Sequence, residues 1–353
     1  MKKKWLALGL VSLLGVGMFV ACDEADTNGK VTAEQWNVQM NNLDLSHVFI
    51  DNKTVIKGAD GKVYETWDTY TTINGDAMYV YDYDVWLRYD REKEEWVLEK
   101  DQDEIWCKKI NDVYYEYRSG RYYDEDGWSE NENTSWQEVM YENGSKLENA
   151  KEEIAYTLQS FELYYKMGIS AFTHDEQKGV YTMEVSTSET SIKMEIKFVD
   201  EKLYSIDINT VTSAVMGYEI PNVTVEATHS ITFIEKDIEF LAQDKLESLA
   251  KSVEAKEGVY YFNNIKEYNT GLVHGIGDNY DGVRLTKDTM VVTLNKDGTA
   301  TRSQSGVSSV CTWKETNGKI VLTGSDFTMT LTKKGSRLMY TNEKGGVVSL
   351  WRE

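Results

Sequence analysis

The residue in the clearest chemical setting is Cys22, a thiol that directly follows a short apolar stretch. Residues 2–4 are three lysines, residues 5–19 are mainly apolar, and Ala21 is a small residue next to the thiol. A charged start, a short apolar run and a small residue before a cleavage site are typical of a secretory signal. The run is shorter than the ~20 residues of a spanning helix. We therefore expect residues 1–21 to be a signal peptide, with an incidental cysteine or an uncleaved anchor as the alternatives.

The segment Val20-Ala21-Cys22 resembles the lipobox of bacterial lipoproteins, with Phe19 where that family usually has leucine. The resemblance implies that Cys22 is lipidated with diacylglycerol and becomes the mature N-terminus. Two acyl chains hold a protein stably on a bilayer, whereas one chain binds only marginally. The expected location is the extracytoplasmic face of the cell membrane, with the membrane as a partner through the N-terminal lipid.

The remaining cysteines and the histidines show no spacing that is typical of a metal site. Cys107 and Cys311 lie in alternating apolar runs, which is the setting of small buried side chains. An inter-domain disulfide between them is the alternative. No histidine lies within four residues of another histidine or of a cysteine, whereas zinc sites usually show local ligand pairs. The four histidines are His47, His174, His229 and His274.

Acidic clusters are frequent, but none has the spacing of a known catalytic or calcium-binding motif. Asp82 and Asp84 flank a tyrosine, and residues 124–127 read Asp-Glu-Asp-Gly. Neither fits a helix-loop-helix calcium loop, so we interpret them as solvated turns. The sequence contains no nucleophile elbow, phosphate-binding glycine loop or zinc-protease motif. We therefore expect no catalytic residues, no cofactor and no metal, and we predict that the protein is not an enzyme.

The charge of the chain excludes one class of partner. The sequence has 353 residues, with 59 Asp and Glu against 38 Lys and Arg, which gives a formal charge of −21. Such a chain repels a phosphate backbone, so nucleic acid is excluded as a partner. The apolar fraction of 41% is sufficient for a folded core.

Apolar periodicity and turn residues predict the order of elements. Thr32 and Gln35 form a capping box before a short helix, and two further boxes begin at Ser135 and Ser145. Asn74-Gly75 is a strong hairpin signal. The predicted segments are a signal peptide at 1–21, a flexible tether at 22–31, a domain over 32–236 with strands at 45–130 and 179–235 around a helix at 134–168, a linker helix at 237–257, and a strand domain at 258–353.

Two apolar stripes and one tyrosine stripe are the candidate ligand-lining residues. The helical stripe would lie over a strand whose apolar residues alternate with charged ones. The tyrosines share one face of another strand and could supply a polar rim. If the stripes meet they form a packed core, and if they do not they enclose a ligand; both interpretations stay open. The residues are Leu147, Ile154, Leu158 and Phe161 on the helix, Ile192, Met194, Ile196 and Phe198 on the strand, and Tyr79, Tyr81 and Tyr83.

Two resemblances concern the domains. The order helix, meander, long helix, meander over 32–236 is similar to lipoprotein-carrier-like half-barrel lipoproteins, a family that implies an apolar cavity for acyl chains. Residues 258–353 resemble small lipocalin-like domains through Gly258-Val-Tyr-Tyr, the strand and turn at 293–299, and Thr312-Trp313. The expected fold is mainly β with helices: an antiparallel open half-barrel covered by helices, followed by a small up-and-down antiparallel β-barrel.

The predicted function is non-enzymatic binding of a hydrophobic or amphiphilic ligand, an apolar small molecule, by a membrane-anchored lipoprotein. The alternative is a surface interaction module in which aromatic strands and an acidic rim bind a protein or glycan partner. A closed pocket would favour ligand binding, whereas an exposed aromatic patch would favour the interaction module.

Overall fold

The computed structural model describes residues 29–111, 113–124, 126–130, 135–139, 146–216, 220–252 and 255–352. The chain divides into two compact units. The first unit comprises Met1–Lys108, Glu116–Ser135 and Lys146–Phe240, and the second comprises Lys109–Tyr115, Trp136–Ser145 and Leu241–Glu353. The signal peptide and Cys22 lie outside the described residues, and so does the tether as far as residue 28. Among the described residues, no helix combines the length and apolar character needed to cross a bilayer.

The protein is mostly β, and the strands before residue 233 form its larger sheet, which is open and antiparallel. The sheet runs in the order β6-β5-β4-β3-β2-β1-β12-β11-β10-β9-β8, so that two meanders join through the pairing of β1 with β12, and β7 pairs with β5. The strands are β1 His47–Lys57, β2 Val63–Asn74, β3 Ala77–Asp90, β4 Glu95–Ile110, β5 Val113–Asp124, β6 Gly127–Glu130, β7 Gln137–Glu138, β8 Thr173–Asp175, β9 Val180–Ser186, β10 Thr190–Val199, β11 Lys202–Met216 and β12 Ile220–Thr232.

In the described part of the chain, four α-helices accompany the strands, and the first begins as predicted. They are α1 Ala33–Asn41, α2 Lys146–Ser160, α3 Glu162–Tyr165 and α4 Gln243–Ser252, with single 3-10 turns at Ile169–Ala171 and Lys287–Thr289. The Gln35 amide donates to the Thr32 hydroxyl at 3.2 Å, and the Thr32 amide donates to the Gln35 side chain at 2.7 Å. This reciprocal cap satisfies two amides at the start of α1.

One packed core of the first unit lies where α1 meets the β9–β10 end of the sheet. The Trp36 ring lies 5.6 Å from the ring of Phe198 and 4.9 Å from that of Phe172. Its Nε1 donates to the Tyr165 carbonyl oxygen at 3.1 Å, which joins α1 to α3. Met194 and Ile196 are fully buried in β10. β10, which carries the strand residues predicted to line a ligand, therefore forms part of a packed core.

The second unit contains a closed antiparallel barrel of eight strands. β13 pairs with both β17 and β23, which closes the meander, and closure leaves no exposed sheet edge around the barrel. Alternate side chains along these strands, among them Leu322, Leu331 and Leu350, pack in its core. The strands are β13 Gly258–Lys266, β14 Val273–Gly275, β15 Asn279–Tyr280, β16 Val283–Arg284, β17 Met290–Leu294, β18 Thr299–Gln304, β19 Val307–Thr316, β20 Lys319–Thr323, β21 Thr328–Lys334, β22 Arg337–Thr341 and β23 Val347–Arg352.

A buried ion pair joins β7 to the β21–β22 turn within the second unit. The Arg337 Nε lies 3.7 Å from the Glu138 Oε1, and both side chains are less than 10% exposed. The Ser336 amide donates to Glu138 Oε2 at 3.2 Å. Gly335 adopts φ 57°, and a Cβ there would approach Glu138 Oε1 to 2.5 Å. Only glycine therefore suits this turn without strain.

These long-range contacts correct two helix predictions. The expected helix at 134–168 does not include Gln137–Glu138, which form β7, and the Val139 amide donates to the Tyr114 carbonyl oxygen. The expected linker helix at 237–257 does not begin at residue 237, because α4 begins at Gln243 and the residues before it accept hydrogen bonds from distant side chains. The Trp106 Nε1 donates to the Glu239 carbonyl oxygen at 3.1 Å. Specific partners outweigh a local capping signal, whose value is only ~1 kcal/mol.

Candidate ligand-binding cavity

A cavity of about 1140 Å³ lies between α2 and the sheet of the first unit. The sheet contributes side chains from six strands, β12 and β1 to β5. These are Ile50, Asn52, Thr69, Thr71, Met78, Val80, Asp82, Asp103, Ile105, Arg118, His229 and Ile231. The helix contributes the opposite wall, which consists of Lys146, Asn149, Ala150, Glu152, Glu153, Ile154, Tyr156 and Thr157. We call the sheet surface that bears these residues the cavity face.

Strand register places five polar residues of the cavity face in one row. His229 pairs with Asn52, Asn52 with Thr69, Thr69 with Asp82, and Asp82 with Asp103. Because directly paired residues point to the same side of a sheet, their side chains form a line across five strands. We call this line the polar row.

Apolar side chains follow the polar row on one side. A second row lies two residues further along each strand and also lines the cavity. In it Ile231 pairs with Ile50, Ile50 with Thr71, Thr71 with Val80, and Val80 with Ile105. A bound molecule would therefore contact polar atoms and aliphatic carbon side by side.

Hydrogen bonds and one ion pair fix the polar row. His229 Nδ1 bonds to Asn52 Oδ1 at 3.0 Å, and the Thr69 hydroxyl donates to Asp82 Oδ1 at 2.8 Å. Asp82 and Asp103 are directly opposed, an arrangement that destabilises a sheet unless the charge is compensated. Arg118 from β5 supplies compensation, since its Nε donates to Asp103 Oδ1 at 3.2 Å and its Nη2 pairs with the other oxygen. The row is therefore ordered before any ligand arrives.

Burial shifts the pKa of two groups on the cavity walls. It lowers the pKa of His229 to about 4, so this ring is neutral at physiological pH. It raises the pKa of Glu153, an effect that Lys146 opposes and the charge of Asp82 reinforces. The cavity therefore presents a neutral imidazole. Its lining contains four acidic side chains against two basic ones.

The residues predicted on the helix divide between the cavity and the core. Ile154 lines the cavity. Leu147, Leu158 and Phe161 are buried and are not among the lining residues. The Phe161 ring nevertheless lies 6.3 Å from the His229 ring, at the border between the core and the cavity.

The four predicted strand residues lie on the cavity face but not in the cavity. Met194 is linked by pairing through Ile208 to His229, and Ile196 is linked through Ile206 to Ile231. All four, Ile192, Met194, Ile196 and Phe198, are less than 10% exposed. This end of the face is filled by side chains, and the open space lies further along the sheet. The predicted strand residues therefore share a face with the cavity lining but lie outside the cavity.

The predicted tyrosine rim lies on the opposite side of the sheet, which corrects the prediction. Tyr79, Tyr81 and Tyr83 alternate with Met78, Val80 and Asp82, and it is the second set that lines the cavity. Successive strand residues point to opposite faces, so both sets cannot share it. Tyr79 instead donates its hydroxyl to Glu104 Oε2 at 2.8 Å.

Aromatic rings lie in two groups on the side of the sheet away from the cavity, and Trp106 in the second group is buried. The Tyr81 ring lies 5.9 Å from that of Tyr70, and the Trp106 ring lies 5.1 Å from Tyr79 and 5.5 Å from Tyr117. We call these five residues the aromatic face. Burial is the main cause that raises the pKa of Tyr70 to about 12, so its hydroxyl stays protonated.

Neither a metal centre nor a disulfide is formed among the described residues. They contain no group of three His, Cys, Asp or Glu side chains able to hold a metal ion. Cys107 and Cys311 are both buried and free. Burial raises the pKa of Cys107 to about 12, which keeps it a thiol and makes it unreactive.

No family model matches the chain, and no curated protein matches it in sequence. An endo-1,5-α-L-arabinanase from Thermotoga petrophila aligns at 10% identity over 85% of this chain and 66% of its own, with a TM-score of 0.17. An AttH-type protein from Nitrosomonas europaea aligns at 7% identity over 98% of this chain and 100% of its own, with a TM-score of 0.16. Kievitone hydratase from Nectria haematococca aligns at 8% identity over 88% and 90%, with a TM-score of 0.13. Scores this low support no statement about fold or function.

Proposed function

We propose that this protein is a non-enzymatic, membrane-anchored extracytoplasmic lipoprotein whose first unit binds an amphiphilic ligand. The observation that carries the proposal is the polar row beside aliphatic side chains in a cavity of about 1140 Å³. In this view the sheet is the open half-barrel, and α2 is the helix that covers its ligand. The lipid on Cys22 attaches the protein to the membrane.

The cavity lining suits a molecule with one polar end. Ligand pockets usually measure ~300–1,000 Å³ and combine apolar walls with a few placed polar groups. Each buried methylene of an acyl chain contributes ~0.8 kcal/mol, and Ile50, Val80 and Ile105 offer surface for it. Polar row groups facing an apolar ligand would lose hydrogen bonds to water at a cost of ~1–3 kcal/mol each. This penalty favours a ligand with a polar head over a plain hydrocarbon.

The test compares two substitutions on the same helix. Ala150 lines the cavity, whereas Ala155 is exposed on α2 and does not. Ala150→Trp should fill ligand space and lower the co-purified amphiphile several-fold, while Ala155→Trp should leave it unchanged. Native mass spectrometry and lipid extraction of the purified proteins measure the occupancy. Absence of any ligand from the parent protein, or equal occupancy in both variants, would contradict ligand binding.

The anchor is tested separately from the cavity. Cys22→Ser should release the protein from membranes or leave an unprocessed precursor, because the thioether to diacylglycerol cannot form. Membrane fractionation with detergent partitioning measures this. Unchanged processing and unchanged partitioning of the variant would contradict lipidation.

A second candidate function uses the aromatic face. Rings of Tyr70, Tyr79 and Tyr81 beside the Glu104 carboxylate support a surface interaction module for a glycan or protein partner. Tyr81→Ser should then abolish partner capture while ligand occupancy of the cavity stays the same. Loss of the ligand with no loss of partner binding would argue against this second function.

A further inference from the structure

The most exposed large apolar side chains of the first unit belong to its helices. Among the described residues of that unit, those more than half exposed are Val38 on α1, Tyr156 on α2, Leu163 on α3 and Met167 directly after α3. Leu163 is 75% exposed and Tyr156 is 61% exposed. Single exposed apolar residues are ordinary, but several on one set of helices indicate a surface that is covered by something else.

Three of these residues lie on α2, on α3 and directly after α3. Leu163 and Met167 are four residues apart, about one helical turn, whereas Tyr156 lies on α2, which Phe161 separates from α3. We call Tyr156, Leu163 and Met167 the helix patch. Tyr156 also lines the cavity, so the patch includes a residue of the cavity wall. Whatever covers the patch therefore lies next to the entrance for a ligand.

The N-terminal chain enters the molecule beside these helices. The Val31 amide donates to the Tyr181 hydroxyl at 2.9 Å, and the Tyr181 ring lies 5.4 Å from the Trp36 ring. Trp36 in turn donates to the carbonyl oxygen of Tyr165, the last residue of α3. A short series of contacts thus links the start of the described chain to the helix patch.

The length of chain before this point limits the distance to an anchor at Cys22. Gly29 is seven residues along the chain from Cys22, and a fully extended chain of that length spans at most ~25 Å. A lipid on Cys22 would therefore hold Gly29, α1 and α3 near the bilayer surface. Val63 lies farther from this end of the sheet. Ile73 pairs with Val48 at the start of β1, the strand that follows α1, and β2 at ~3.3 Å per residue places Val63 ~30 Å from Ile73.

We propose that the helix patch rests on the lipid bilayer that holds Cys22, and that this contact opens the cavity wall at Tyr156 toward the membrane. The inference rests on the proposed function, because it requires the lipid on Cys22. The contact must be apolar, since a chain with a net charge of −21 is repelled by anionic lipid. The ligand class that follows is an amphiphile taken directly from the bilayer, such as a membrane lipid.

The experiment places a fluorescent probe on the lipidated, full protein. Leu163→Cys and Met167→Cys, each labelled with an environment-sensitive fluorophore, are reconstituted into phosphatidylcholine vesicles that contain nitroxide-labelled phosphatidylcholine. Val63→Cys is the matched control, since Val63 is also exposed, at 44%. The native thiols of Cys107 and Cys311 are buried and do not compete for the label.

The expected result is quenching at positions 163 and 167 that exceeds quenching at position 63 by at least threefold. Equal quenching at the three positions would overturn the inference. A charged pair, Leu163→Glu with Met167→Glu, should lower the amphiphile co-purified from membranes, while Val63→Glu should not. If the parent protein carries no amphiphile, the proposed function fails; if it carries one and the probes are quenched equally, only the membrane contact fails.

Discussion

Removal of the Glu138 charge should destabilise the barrel unit strongly. Glu138→Gln leaves the Arg337 guanidinium almost without solvent and without its only described ion-pair partner, which lies at 3.7 Å. At an effective dielectric constant near 20, charges at this distance attract by ~4 kcal/mol. Removal of one member of a buried pair typically costs ~3–5 kcal/mol, because the remaining charge stays desolvated. We therefore expect the free energy of unfolding to fall by about that amount.

Urea denaturation followed by tryptophan fluorescence measures this loss. Asp281→Asn is the control, since Asp281 pairs with Lys344 and both side chains are more than half exposed, so its loss should leave the free energy of unfolding nearly unchanged. The double variant Glu138→Gln with Arg337→Met should regain most of the stability, because no unpaired charge is left. A loss for Glu138→Gln no larger than the Asp281→Asn value would refute the reasoning. The same pair predicts that a fragment starting at residue 257 is less stable than the barrel within the chain.

Two further predictions concern the border of the cavity. The pKa of His229 falls from 6.5 to about 4 on folding, because burial favours the neutral ring. The contribution of this group to the free energy of unfolding is therefore complete above pH 6.5, and it decreases by up to ~3 kcal/mol as the pH falls to 4. His229→Gln should remove this part of the pH dependence of urea unfolding, and identical pH profiles in parent and variant would contradict it. Phe161→Ala should lower the free energy of unfolding by ~3–5 kcal/mol, because the ring is 8% exposed. A loss below ~1 kcal/mol, measured together with bound amphiphile, would instead place the ring on the ligand.

The barrel could be predicted from the sequence because its information is local. Residues such as Ile320, Leu322, Met329 and Leu331 alternate with polar residues, and short turns join their strands to the next. With connections this short, neighbouring strands can only pair antiparallel, and the inward positions follow from period two. The pairing of β13 with β23 joins residues about 90 positions apart. It could still be predicted, because a curled meander can close only by pairing its two edge strands.

The helix boundaries failed where a distant partner decides the local structure. The segment from Ser135 to Glu138 has the residue types of a capping box, but its Glu138 carboxylate accepts from the Ser336 amide 198 residues away. The Trp136 Nε1 likewise donates to the Leu241 carbonyl oxygen at 2.8 Å. Contacts that span such distances leave no periodic trace in the sequence, so a pattern-based prediction continues the helix through residues that fold otherwise.

The polar row is the part of the candidate site that could not be predicted from the sequence. His229 and Asn52 are 177 residues apart and become neighbours only through the pairing of β1 with β12. Alternation indicates correctly that Met78, Val80 and Asp82 share one side of β3. It does not indicate which side is enclosed, because the tyrosines between them are larger and equally suited to an interior. The arrangement of the whole sheet determines which side is enclosed. The side that bears Asp82 is continuous, through strand pairing, with the apolar residues of β10 and β11 that pack under α1 and Trp36. The cavity face therefore continues the core face, and its polar residues mark the place where the packed core ends and the cavity begins.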